Sequence, residues 1–309
     1  MSEHTSHIAI FEDTNRMVQH SEIFCQQFKS SLKEEYEIAA IASESKSGGL
    51  FIIPFIKESR EAFRQWKSTR ETRQMLAAAL GWISHKAADI QVKPLARKHN
   101  YEPQRFRDPY PVWNEKNEAL QDVTIFKNVY EATNKSTNSR YLDFGKFLYQ
   151  KNMDSLPVAQ KIDIDKLEHW MASMWKADFL GLHDITVQTR YDDAWLKALF
   201  ERTQTFNELW DHYIEAYNNP DTELEKYLIE EKNFYNPQDQ MIQWVRNIQE
   251  HTLDQAIDEK KALEQARGES ASQYAKILAN AYLYISAADD FFNFKTDEAT
   301  FLKAWEDVA

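Results

Sequence analysis

Leu80-Gly81-Trp82-Ile83-Ser84-His85-Lys86-Ala87-Ala88-Asp89, followed by Ile90-Gln91-Val92-Lys93-Pro94, is the stretch on which the reading of this sequence turns. Apolar residues recur at Met75, Leu76, Leu80, Ile83 and Ala87, a helical spacing with no proline before Pro94, which predicts a largely buried helix. On that helix His85 and Asp89 stand four residues apart and share one face. An imidazole nitrogen and a carboxylate oxygen held this way can direct lone pairs at one metal ion. They can equally form an ordinary side-chain pair, contributing roughly 0.2–0.5 kcal/mol on an exposed helix. The spacing alone leaves both readings open.

Outward from this stretch, composition sets the class. The 309 residues suffice for one large domain or two of ordinary size. With 43% hydrophobic and 13% aromatic residues the chain can bury a sizeable core, which excludes a disordered protein. Only 6 Gly and 8 Pro punctuate it, and the long segments carry helical rather than alternating periodicity, so the class is all-α, a multi-helix bundle. The formal net charge of −12 argues against bulk electrostatic binding of nucleic acid or of an anionic bilayer, leaving a local basic groove as the exception. The single cysteine, Cys25, excludes an intrachain disulfide. The start Met1-Ser2-Glu3-His4 lacks a basic and then apolar leader, and no run approaches ~18 apolar residues, so the expectation is a soluble, cytoplasmic protein without a membrane span.

Gly81-x-x-x-His85-x-x-x-Asp89-x-x-x-Lys93-Pro94 resembles the central motif of the zinc-dependent phospholipase C family, all-helical phosphodiesterases with the pattern Gly-x-x-x-His-x-x-x-Asp-x-x-x-His-Pro. Lys93 stands where the family has a histidine, and an ammonium group has no lone pair to give a metal. Thr5-Ser6-His7-Ile8 is similar to the family's N-terminal start, which implies His7 as a third metal ligand, with His4 a weaker candidate. The family's Pro-Asp ligand has its nearest counterpart at Ser43-Glu44, and the family's further histidine has none between Lys57 and Ser84. Where the family places His-x-x-x-Glu, this chain has Asn114-x-x-x-Glu118, keeping the carboxylate and losing the imidazole. The resemblance thus implies zinc held by His7, His85 and Asp89, with Glu44 and Glu118 as further ligand candidates, and a phosphodiester or phospholipid-like substrate. Lys93, Arg97, Arg105 and Arg107 are the cations that could meet its phosphate, and a solvated loop explains the arginines equally well. Alternatively Lys93 pairs with Glu118 in place of a lost ion, and the chain is a non-catalytic helical scaffold or binding protein.

The resemblance covers residues 1–133; residues 134–309 read as further helices of the same or a second domain. In order, the spacing predicts a helix from His7 to Glu35 capped by Ser6, an extended or short helical run over Leu50–Ile56, and a helix from Lys57 or Ser59 into the central motif. A loop is expected from Arg97 to Pro111 and a helix from Trp113. A polar linker is expected over 134–140 and helices over 140–152, 163–180, 191–218, 221–232, 237–267, 270–290 and 296–308. Glu208, His212 and Glu215, then His251, Asp254 and Asp258, share helical faces and are weaker metal candidates, more simply read as solvated faces. Asp289-Asp290 are adjacent and therefore diverge. Phosphate-binding glycine loops, nucleophile elbows and paired Cys-x-x-Cys motifs are missing from the sequence.

Overall fold

A computed structural model describes residues 4–44, 49–100, 115–131, 215–250 and 258–306. Every regular element among them is helical: α1 (His4–His20), α2 (Gln26–Glu34), α3 (Tyr36–Glu44), α4 (Gly49–Arg64), α5 (Arg70–Asn100), α6 (Glu115–Ile125), α7 (Thr222–Lys226), α8 (Gln240–Glu250), α9 (Glu259–Ala266), α10 (Gln273–Phe292) and α11 (Glu298–Glu306). α6 and α7 each widen into a π-helical segment, Phe126–Glu131 and Tyr227–Glu231. None of the described helices is long and apolar enough to cross a membrane.

α5 is the axis of the bundle. Met75 to Leu80 are all fully buried, as expected of a helix apolar on every side, and α1, α2, α3, α4 and α10 pack around it. Its small residues set how close those neighbours come. A Cβ added at Gly81 would lie 2.1 Å from the Ala39 carbonyl oxygen of α3, so glycine there allows the two backbones to cross in contact. One turn further along both helices, the same crossing sets Ser43 of α3 beside His85 of α5.

α1 is also buried, and it carries polar side chains into the core with partners to meet them. Ser6 donates its backbone N–H (3.0 Å) and its hydroxyl to Asp122 of α6. Asp13 accepts from Tyr274 (2.8 Å) and Arg16 (2.7 Å), and Glu12 accepts from Tyr36 (2.6 Å). These bonds tie α1 to α3, α6 and α10. At the far end, the Tyr282 hydroxyl lies 2.8 Å from both Ser21 Oγ and Glu259 Oε2, joining the turn after α1 to α9 and α10. Three of the later helices start on side-chain caps: Asp221 for α7, Asp258 for α9 and Ser272 for α10.

Several boundaries differ from expectation. The helix expected over His7–Glu35 is two, because the chain turns at Ser21 to Cys25, where Ser21 is engaged by α9 and α10 and the Cys25 N–H donates to Asp289 (2.8 Å). Ser6 is inside α1 and not its cap; Asp122, from another helix, takes its free N–H. The run at Leu50 belongs to α4, which continues through Pro54 to Arg64. Proline this near the start removes only the bond to Leu50. The helix expected to enter the central motif breaks between Arg64 and Arg70, with Trp66 in the left-handed region (φ 55). α5 runs past Pro94 to Asn100, so Arg97 is helical. The helix expected over 270–290 is α10, which starts at Gln273 on a Ser272 cap and ends at Phe292. The segment expected as one helix over 237–267 contains α8 and α9, with 251–257 outside the described residues. The linker at 134–140 and the helices expected over 140–152 and 163–180 also lie outside them.

Candidate metal centre

His7 comes from the first turns of α1; His85 and Asp89 come from successive turns of α5. All three are buried, and each offers a ligand atom within 4.8 Å of the others, a group that could hold a metal ion. His85 Nε2 lies 3.1 Å from Asp89 Oδ2, and His7 Nε2 lies 3.7 Å from Asp89 Oδ1. The second approach is too long for a hydrogen bond. The two imidazole rings stack, with centroids 4.5 Å apart and planes 21° from parallel.

The hydrogen bonding of His85 decides what the site must contain. Its Nδ1 lies 2.9 Å from the Ser43 carbonyl oxygen. A carbonyl only accepts, so Nδ1 carries the proton. In a neutral imidazole Nε2 then bears the lone pair, and that lone pair faces a carboxylate oxygen 3.1 Å away. Two acceptors at this distance repel. A positive centre must lie between them: a second proton, making His85 an imidazolium, or a metal cation. Burial alone pushes the Asp89 carboxyl up, but His7 and His85 outweigh it and hold it well below the usual carboxylate range. Asp89 is therefore an anion, and the site is built to enclose positive charge.

The geometry fits a metal as well as a proton. For metal–ligand bonds of about 2.0–2.1 Å, a tetrahedron has edges of roughly 3.3 Å. The two nitrogen–oxygen separations, 3.1 and 3.7 Å, bracket that edge. Two histidines and one carboxylate supply three ligands of a four-coordinate site. The Ser43 carbonyl supplies the outer bond that orients a ligating imidazole.

Of the other candidates, Glu44 is the last residue of α3, next after Ser43, and Glu118 is in α6, one turn before the Asp122 that meets Ser6. Lys93 and Arg97 follow Asp89 on α5 by one and two turns. The side chains of Glu44, Glu118, Lys93 and Arg97 lie outside the described residues, as do Arg105, Arg107 and Asn114 altogether and the side chain of His4. Glu208, His212, His251 and Asp254 are likewise outside them. Asp258 serves as the cap of α9, accepting from the Lys261 N–H at 3.2 Å. Asp289 is buried and accepts from Cys25 and Asn293.

Two contributors escaped the sequence reading. The Ser43 carbonyl is a backbone group and has no side-chain signature. Gly81 carried a usable signal, since a lone glycine inside a strong helical pattern points to close packing. No protein-family model, no curated protein and no solved structure matches this chain.

Proposed function

We propose that this chain is a metal-dependent phosphoesterase whose helical scaffold is of the zinc-dependent phospholipase C type, with zinc held by His7, His85 and Asp89. The observation carrying the reading is the convergence of these three residues, from two helices, on one buried point. Zinc in such a position lowers the pKa of a coordinated water and neutralises charge on a phosphodiester.

The residues of the chain supply the rest. Ser43 fixes the proton on His85 Nδ1, so that Nε2 is the nitrogen turned toward Asp89. Asp89 stays ionised and draws both imidazoles to it. Lys93 and Arg97 follow on the same helix and are the cations assigned to the substrate phosphate.

A second reading has a specific observation behind it. The 3.1 Å His85–Asp89 contact is also the length of a charge-assisted hydrogen bond, so a proton alone closes the site. The chain is then a non-catalytic helical scaffold whose cluster is structural.

Hydrolysis of bis-p-nitrophenyl phosphate by zinc-loaded protein separates the two. The enzyme reading expects turnover that His85→Ala abolishes while the helical circular-dichroism spectrum persists. Absence of turnover from zinc-loaded wild type, with His85→Ala only lowering the melting temperature, favours the scaffold.

A further inference from the structure

The three residues of the cluster are held in different ways. His85 and Asp89 stand one turn apart on α5, so the helix itself fixes their spacing. His7 stands alone on α1, and its place beside Asp89 depends on how α1 is set against α5. His7 is moreover the fourth residue of α1, within the first turn. The N–H groups of that turn have no partner inside the helix, and a first turn without outside partners frays.

The outside partner comes from α6. The Ser6 N–H donates to Asp122 Oδ1 at 3.0 Å, and the Ser6 hydroxyl donates to the same oxygen. Ser6 directly precedes His7, and a cap supplied by another helix fixes where the first turn lies as well as satisfying it. Ser6 and Asp122 are both completely buried. A carboxylate in that setting is costly unless it is met, and here it stands at the positive end of the α1 dipole with two donors on one oxygen. The anchor is also firm, because α6 is buried from Ala119 to Ile125. Polar bonds further along α1, at Glu12 and Asp13, hold the middle of the helix.

The cluster is sensitive to this first turn. His7 Nε2 lies 3.7 Å from Asp89 Oδ1, already beyond the roughly 3.3 Å that two ligands of one zinc ion keep, so little slack remains for α1 to drift away. Taking the cluster as the metal centre proposed above, we infer that Asp122 is a positioning residue of that centre. By holding Ser6 it sets the first turn of α1 and keeps His7 within reach of the ion that His85 and Asp89 bind.

Zinc affinity of the full chain, measured by competition with a chromophoric chelator well below the melting temperature, tests this role. Asp122→Ala removes the acceptor and is expected to bind zinc about 10–100-fold more weakly than wild type. Asp122→Asn keeps an oxygen for both Ser6 donors and is expected to recover most of that loss. Tyr282→Phe loosens the bundle beyond the other end of α1 and is expected to leave the affinity unchanged. Circular dichroism checks that each variant is folded. Should Asp122→Ala not fold, Ser6→Ala decides: it deletes one of the two bonds, and a loss of about fivefold is expected. Unchanged affinity in the deciding variant overturns the proposal. An equal loss in Tyr282→Phe also overturns it, by marking a general effect of lowered stability, as does Asp122→Asn binding as weakly as Asp122→Ala, which assigns the effect to charge. The metal reading fails on a different result: if wild type binds no zinc, that reading falls and the role of Asp122 with it. Zinc bound by wild type and lost in Asp89→Asn keeps the metal reading standing whatever Asp122→Ala does.

Discussion

Gly81→Ala tests the crossing that positions the centre, and the sign of its effect is informative. In an uncrowded helix the change would stabilise, because alanine is favoured over glycine by about 1 kcal/mol. Here the new methyl would stand 2.1 Å from the Ala39 oxygen, 2.8 Å from its carbonyl carbon and 2.9 Å from its Cα. Ordinary contact is about 3.5 Å, so α3 and α5 must part by more than an ångström. These are backbone atoms of a buried helix and have no rotamer to yield. Overpacking costs about 1–3 kcal/mol and more in rigid surroundings; with the propensity gain subtracted, a net loss of about 2 kcal/mol is expected. At roughly 2–4 °C per kcal/mol, the melting temperature should fall by about 4–8 °C. The same parting draws the Ser43 carbonyl from His85, and loss of such an outer bond weakens metal binding by about 10–100-fold. Differential scanning calorimetry with and without zinc, alongside zinc titration calorimetry, reads both effects. A melting temperature equal to or above that of wild type, with unchanged zinc affinity, refutes the reasoning. Ala39→Gly should not rescue the variant, since the atoms met are backbone.

Further outcomes follow from other parts of the structure. Asp89 has its folded pKa depressed, so its stabilisation is present above its unfolded value and lost as pH falls below it. Urea unfolding at stepped pH should therefore show stability declining more steeply below about pH 4 in wild type than in Asp89→Asn. The Cys25 thiol is pushed up to about 12 by burial and by the neighbouring Asp289, so iodoacetamide at pH 8 should label it far more slowly in the native protein than in urea. Labelling at equal rates contradicts this. Tyr282→Phe removes the hydroxyl shared by Ser21 and Glu259 and should destabilise by about 1–3 kcal/mol in denaturant titration, with zinc affinity unchanged.

The sequence made the helical class and the central helix legible because both rest on periodicity. Buried apolar residues at Met75, Leu76, Leu80 and Ile83 impose one structure whatever surrounds them. His85 and Asp89 were legible for the same reason, since helix geometry fixes their shared face. His7 entered through its likeness to a family pattern, because nothing local links residue 7 to residue 85. What stayed hidden depends on contacts across the chain. The break after His20 is held by Ser21 reaching Glu259 and Tyr282, more than two hundred residues away. α4 continues through Pro54, where a proline near the helix start removes only one bond, and α5 continues through Pro94. The turn at Trp66 was invisible because it uses tryptophan where a glycine would have announced it.

The central claim is that His7, His85 and Asp89 enclose a metal ion. Its most direct test is plasma mass spectrometry of protein purified without an affinity tag, incubated with zinc and desalted, comparing wild type with Asp89→Asn. The account predicts near-stoichiometric zinc in wild type and its loss in the variant. Zinc in neither protein contradicts it and leaves a proton, not a metal, between His85 and Asp89.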